Sequence, residues 1–379
     1  MAGILGRLMG RYLANERGVA LIIVVFVVAL VTVLVLEYHY DAAVELELAA
    51  NFGSDIQAYH LAMSGLSFAQ VLLRQDETDV DGPADLWYQL TAFPACFPPA
   101  QLIAMSSVET GGLLDPRSPE ADATDSEEED GEQACVSLRI LDEERKLPMN
   151  RLIPASLEEE PDQRWIDIFE QFFVLMQIEP DRLEALVDWI DEDSDPRPGL
   201  GAERGYYEGL EFPYTPSNGP MQTPSELRLV RGFDAETLAK LFPGLEPEAM
   251  ADVDVGTNAY LTPYGAAPTG AGAGQGGAKV NLNTATAEVL QALLFGLQGS
   301  GSIDAVEQIL VQREEEPFAS VSEVQQIIPE VTDLDAVADV RSSIFRVEAV
   351  GVVGPIQKRV VAILQRTSQN TEMIYFKVE

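Results

Sequence analysis

Positive charge is scarce in this chain. Its 379 residues carry 24 Lys and Arg against 62 Asp and Glu, a formal net charge of −38. Nucleic acids and anionic lipid surfaces are held by basic patches, so neither is expected as the main partner. Calcium and other hard cations suit such a surface better. Histidine is nearly absent: His39 and His60 both fall on one long helical stretch, and no His-based metal site or triad can be assembled from them. The motifs GxSxG, HExxH and Walker A are missing, and no nucleophile–base pair stands out, so an enzyme is not expected. Cysteine occurs twice, as Cys96 and Cys135.

One long hydrophobic run is present. In residues 19–36, "VALIIVVFVVALVTVLVL", Thr32 is the single polar residue. Eighteen helical residues reach roughly 27 Å, close to the hydrocarbon thickness of a bilayer. A secretory leader has a shorter core and a small-residue cleavage site after it. Here the chain runs on without proline until Pro83, and Leu46, Phe52, Ile56, Tyr59, Met63, Leu66 and Leu72 recur at helical spacing. The spacing predicts one helix over about 19–75, apolar all round at first and amphipathic later. Arg7, Arg11 and Arg17 precede the span, whereas Glu37, Asp41, Glu45 and Glu47 follow it. The positive-inside rule then places the N-terminus in the cytoplasm and the main domains outside. In that oxidising setting Cys96 and Cys135 are candidates for a disulfide, the alternative being two buried thiols. They bracket residues 118–132, "SPEADATDSEEEDGE", eight acids with no base, expected to be a disordered loop.

The remainder reads as an α+β protein split by an insertion. "AQLIAMSSVET" and "QACVSLRILDEER" read as strands on either side of the acidic loop, and "SSIFRVEAVGVVGPIQKRVVAILQR" reads as a hairpin, with "EMIYFKVE" as a third C-terminal strand. A long helix on an antiparallel sheet makes one layer pair, yet its parts lie at both ends of the chain. Residues 76–149 and 341–379 are therefore assigned to the body and 150–340 to an inserted all-α domain. The insert divides into 150–264, a Gly-rich linker at 265–277, and 278–340. Trp165, Ile168, Phe169, Phe172, Phe173 and Met176 mark a helix. Asp181 with Glu184, and Thr223 with Glu226, read as capping boxes. The insert also repeats itself weakly: "PMQTPSEL" matches "PFASVSEV", and Asn150 matches Asn281 or Asn283. The first copy carries about 34 additional residues, mostly between Asp191 and Gly219.

Those additional residues open with "DWIDEDSDPRPGLGAERGYYEG", where five of eight positions from Asp188 to Asp195 are acidic. Asp191, Asp193 and Asp195 alternate as the first ligands of a calcium loop do. The EF-hand pattern then breaks, with Pro196 at the turn-glycine place and Ala202 at the bidentate place. Glu203, one position on, is the candidate closing ligand, against the plainer reading of a solvated acidic helix end. "VNLNTATAEVLQALL…GLQGSGS" resembles a helix-hairpin-helix, but no Lys or Arg lies between Asn281 and Gln312, so a packing module is expected rather than a DNA grip.

The stretches "RGVALIIVVFVVALVTVLVL", "LVDWIDEDSDPRPGLGAE", "PYTPSNGPMQTPSELRLVRGFD", "VNLNTATAEVL", "PFASVSEV" and "SSIFRVEAVGVV" together resemble the K-type minor pseudopilins of type II secretion systems. The resemblance implies a type IV pilin-like fold with an inserted helical domain of helix-hairpin-helix or SAM-like repeats. It implies a leader, residues 1–18, removed by prepilin peptidase between Gly18 and Val19, with methylation of the new N-terminus. Pilins usually carry phenylalanine first and glutamate fifth, and here those places hold Val19 and Ile23. A subunit with none above it has no charged terminus to neutralise in an apolar bundle, so Ile23 suits the topmost place. The resemblance further implies single-pass insertion in the inner membrane with a periplasmic body. The implied partners are the I- and J-type minor pseudopilins, with H-type and major pseudopilins as further ones, and no nucleic acid. It also implies calcium in the insert, where Asp188, Asp191, Asp193, Asp195 and Glu203 are the candidate ligands. Two alternatives stay open: a tip minor pilin of a related type IV pilus, and a membrane-anchored helix-hairpin-helix nucleic-acid-binding protein.

Overall fold

The protein is described by a computed structural model that covers residues 16–76, 78–92, 96–106, 134–153, 161–244, 259–265, 278–298, 303–367 and 370–379. The acidic run 118–132 and linker residues 266–277 lie outside the described residues. Helix α1, Glu16–Gln75, matches the expected span and has two characters. From Val19 to Phe52 its side chains are exposed, including Val19 at 59% and Ile23 at 56%. Farther on, Ala58, Ala62, Leu66, Ala69 and Leu73 form a stripe at helical spacing that is almost fully buried.

That stripe lies on a five-stranded sheet of order β1-β2-β7-β8-β9, antiparallel throughout. The strands are β1 (Cys96–Phe97), β2 (Ala134–Asp142), β7 (Ile344–Val353), β8 (Ile356–Arg366) and β9 (Thr371–Val378). Small residues let helix and sheet close up: a side chain at Gly351 would meet the Ala58 carbonyl oxygen at 1.9 Å. Helix α2, Leu86–Ala92, drops Trp87 into the same core against Phe345, ring centroids 5.1 Å apart. Cys96 and Cys135 are bonded, with Cα atoms 5.4 Å apart, and staple β1 to β2.

One strand expectation is corrected here. Pro99–Ser106, the first part of "AQLIAMSSVET" and its flank, is helix α3. Pro99 occupies the first helical position, where its missing N–H costs nothing, and the Pro98 carbonyl accepts the Gln101 N–H at 2.9 Å. The short strand lies before the prolines, at β1.

The insertion sits inside a hairpin. The chain leaves the sheet at Asp142 and returns at Ile344, where β2 and β7 pair from Asp142–Phe345 to Ala134–Val353. The Glu143 N–H donates to the Ile344 carbonyl at 3.0 Å. Between these points lie two halves built alike. The first runs β3 (Leu147–Pro148), α4 (Gln163–Leu175), α5 (Arg182–Ile190), α6 (Arg204–Tyr207), a 3-10 turn (Pro224–Leu229), α7 (Ala235–Leu241) and β4 (Leu261–Thr262). The second runs β5 (Val280–Asn281), α8 (Ala287–Gln298), α9 (Ile303–Glu315), α10 (Val321–Ile327), α11 (Leu334–Val337) and β6 (Ala338–Asp339). The insert is therefore not wholly helical. β3 pairs in parallel with β4, and β5 with β6, each half closing on itself.

The halves share one clasp. Asn150 Nδ2 donates to the Met221 carbonyl at 2.9 Å, and its Oδ1 accepts the Met221 N–H at 2.8 Å. Asn283 does the same with Phe318, at 3.1 and 2.9 Å. Asn283 rather than Asn281 is thus the counterpart of Asn150. The expected caps divide. Glu226 accepts the Thr223 N–H at 3.0 Å. Asp181, whose backbone is already helical, makes no side-chain cap bond, and Glu184 turns to the Arg197 guanidinium.

Candidate metal centre

Helix α5 carries the first two acids. Its apolar face, Leu183, Leu186, Val187 and Ile190, is buried in the insert core, and Asp188 and Asp191 follow at the C-terminal end. Asp191 is the C-cap, with its N–H on the Val187 carbonyl at 2.9 Å and extended backbone that turns the chain away. The loop after it rests on aromatics. Trp189 stacks edge-on against Tyr207 at 5.3 Å, Tyr207 meets Tyr214 at 5.3 Å, and the Tyr214 hydroxyl donates to the Leu229 carbonyl at 2.7 Å. Arg231 lies 4.5 Å over the Tyr206 ring and donates to the Gly201 carbonyl at 3.0 Å. These contacts return the chain so that Glu203, at the N-cap of α6, meets the end of α5.

Asp191, Asp193 and Glu203 each offer a carboxylate oxygen within 4.8 Å of the others. Asp188, fully buried, stands behind them and accepts the Arg197 N–H at 3.1 Å. Asp195 is not brought into this group: it is exposed, and its N–H donates to Asp193 Oδ1 at 2.8 Å. Asn218 holds the loop from the far side through the Asp193 carbonyl at 2.9 Å. Glycine is required at 201, because a Cβ there would stand 2.2 Å from the Arg197 carbonyl oxygen and 2.7 Å from Asp188 Oδ2.

The electrostatics suit a cation. Glu203 is 7% exposed and neither of its oxygens has a hydrogen-bond partner; Asp191 is 6% exposed and its Oδ1 has none. Unpaired buried carboxylates are costly. Burial, then Asp193, Asp188 and Glu203, push the Asp191 carboxyl up to about 7. Burial, then Asp188 and Asp193, push Glu203 up to about 7. Burial also raises Asp188. An all-oxygen donor set with orphaned oxygens at one point fits calcium, which takes carboxylates in flexible geometry. What sequence reading did not single out is the support: Gly201, Asn218 and Arg231, whose partners are up to 31 residues away.

Among the described residues, α1 is the one helix long and apolar enough to cross a membrane, with a mean hydropathy of 3.5 in its most apolar window and no burial there. Gly18 and Val19 lie within its first turns; Val19 and Ile23 face outward.

Comparison with known proteins agrees with this architecture. The family "Type II secretion system (T2SS), protein K" matches residues 138–245 and 280–342, windows that fall largely on the two halves of the insert. Type II secretion system protein K of Aeromonas hydrophila is 24% identical over 365 residues, covering 94% of this chain and 95% of the relative. The Klebsiella pneumoniae protein of the same name is 27% identical, covering 60% and 62%. In fold, the chain is similar to a chain of the GspK–GspI–GspJ complex from the type 2 secretion system of enterotoxigenic Escherichia coli, with a TM-score of 0.56 at 16% identity over 89% of this chain and 99% of that one. With the hairpin-inserted double unit, the long apolar helix and a match along nearly the whole length, the chain is similar throughout to type II secretion system protein K.

Proposed function

We propose that the protein is the minor pseudopilin that caps the pseudopilus tip and starts its assembly, in support of protein export across the outer membrane. The observation that carries this reading is the contrast within one chain: α1 leaves its apolar half exposed, while the body bears an insert of about two hundred residues. An exposed apolar helix needs a bilayer or a bundle of like helices around it. The insert is a poor fit to a repeating helical stack and an easy fit to its end. Ile23 in place of an acid supports the same position. The helix is read as spanning the inner membrane with the N-terminus cytoplasmic and the body periplasmic, after prepilin peptidase cuts between Gly18 and Val19. The partners proposed are the I- and J-type minor pseudopilins, followed by H-type and major pseudopilins. The α8–α9 pair is read as a helix-hairpin-helix-like packing module. The acidic loop is read as a structural calcium site formed by Asp191, Asp193 and Glu203 with Asp188 behind.

The test is assembly. The chain co-expressed with the I- and J-type subunits of its own gene cluster should co-purify as a ternary complex and nucleate filaments. Ile23→Glu should insert in the membrane yet initiate poorly, since it places an unpaired carboxylate among apolar helices. Normal initiation by Ile23→Glu would remove the positional reading, and failure to co-purify would remove the tip complex.

A further inference from the structure

A second carboxylate cluster lies at the seam between body and insert, remote in sequence from the acidic loop. Asp76, Asp81 and Asp85 each place a carboxylate oxygen within 4.8 Å of the others. Oxygens around one calcium ion at about 2.4 Å are at most about 4.8 Å apart, so the three fit one coordination sphere. Asp81 is wholly buried. Its Oδ2 takes the Arg366 guanidinium and the Ser342 N–H, the latter at 2.8 Å, whereas its Oδ1 has no partner. Asp76 receives Arg366 Nη1 at 2.9 Å on Oδ2 and the Thr78 hydroxyl at 2.6 Å on Oδ1. Asp85 Oδ2 accepts the Gly82 N–H at 2.8 Å.

Charge is unbalanced at this point. Three carboxylates face one arginine. Directly behind them Asp142, also buried, is served by uncharged donors: Asn281 Nδ2 at 3.1 Å and the hydroxyls of Ser342 and Thr284 at 2.6 and 2.5 Å. Arg366 therefore leaves a surplus of buried negative charge, and a buried charge without a counter-charge is expensive. We propose that Asp76, Asp81 and Asp85 bind a second divalent cation of the calcium class, independent of the acidic loop. It would complete the sphere of the orphaned Asp81 oxygen. Its position ties the end of α1, the chain returning from the insert at Ser342, and β8 through Arg366. The readable signal was "DETDVDGPAD", acids spaced around a Gly-Pro turn.

The test counts ions. The detergent-solubilised full chain, stripped with chelator and titrated with calcium in a calorimeter, should take two equivalents. The variant Asp191→Asn with Glu203→Gln should still take one, and adding Asp85→Asn should weaken that one by at least about tenfold. Terbium replacing calcium in the loop-deficient variant should give luminescence sensitised by Trp87, two residues from Asp85, and Trp87→Phe should dim it. If Asp85→Asn melts abnormally, Asp76→Asn takes its place. A normally folded loop-deficient variant that binds no calcium at millimolar concentration overturns the second site. So does residual binding that neither Asp85→Asn nor Asp76→Asn weakens. Loss of the loop site alone would leave one equivalent in the wild type that Asp85→Asn removes, so the two readings fail separately.

Discussion

The two halves of the insert share one plan and differ in one loop. Both open with a two-residue strand, place an asparagine two residues after it, and close that asparagine on a residue that follows proline, Met221 or Phe318. In the second half the path from Asn283 to Phe318 runs through the two helices α8 and α9. In the first, the same clasp is reached only after the chain has passed through the acidic loop and its aromatic bed. A shared scaffold thus tolerates a long addition at the end of its second helix, because the clasp fixes where the chain must come back. The addition could then take on a different task from the scaffold.

Breaking the clasps should produce the largest effects. Asn150 serves Met221 twice and also donates to the Pro263 carbonyl at 2.7 Å, whereas Asn283 serves Phe318 twice through its side chain. Buried groups left unsatisfied cost about 1–3 kcal/mol each. Asn150→Ala should therefore destabilise by about 4 kcal/mol and Asn283→Ala by about 3, read from urea melts of the insert's tryptophan fluorescence. A reversed order would show that the halves are not equivalent. Removing the Cys96–Cys135 bond strikes the body instead. Closing a loop of 39 residues is worth about 3–4 kcal/mol in the chain-entropy model. Cys96→Ser with Cys135→Ser should lower the body's stability and leave the difference between the two clasp variants unchanged.

Calcium sharpens the comparison next. At about 100-fold excess over its dissociation constant, an ion adds about 2.7 kcal/mol. Asp191→Ala with Asp193→Ala should abolish the loop's share of the calcium-dependent rise in melting temperature, and substitutions in the second half should keep it. Magnesium should substitute poorly, because it holds its waters in a small octahedral shell. A further effect concerns pH. Asp191 and Glu203 titrate near 7 when folded and near 4 when unfolded, so between those values the ion-free folded state holds more protons. The chelated protein should lose stability as pH rises from about 4 to about 7 and then level off. Calcium affinity should weaken as pH falls below about 7. Melts at pH 5.5 and 8 with and without chelator would check both signs.

Sequence periodicity carried the long helix, the C-terminal hairpin, the helices around Trp165 and Leu183, and the internal repeat. It carried less where a local pattern served two structures. "AQLIAMS" is apolar enough for a strand, and the proline pair before it decides for helix. Asp181 and Glu184 have cap spacing, but Asp181 already has helical backbone and Glu184 turns to Arg197, thirteen residues beyond it. At the candidate site, the alternation of Asp191, Asp193 and Asp195 suggested three equal ligands. The chain does not hold that alternation through Pro196, and Asp195 turns its backbone to Asp193 while Glu203 comes in from the far end. The seam was the least legible part. Arg366 meets Asp81 across 285 residues, and no window along the chain contains both.

The way the insert is attached has a mechanical meaning. Both of its connections leave the same end of two neighbouring antiparallel strands, at Asp142 and Ile344. A pull on the insert would load the β2–β7 ladder one rung at a time, from Asp142–Phe345 inward, as a zipper is opened. A push loads no rung in that way; it presses the insert onto the end of the sheet, where Asp81, Ser342 and Arg366 are clustered. The joint is weak in tension and firm in compression, which suits the tip position proposed above.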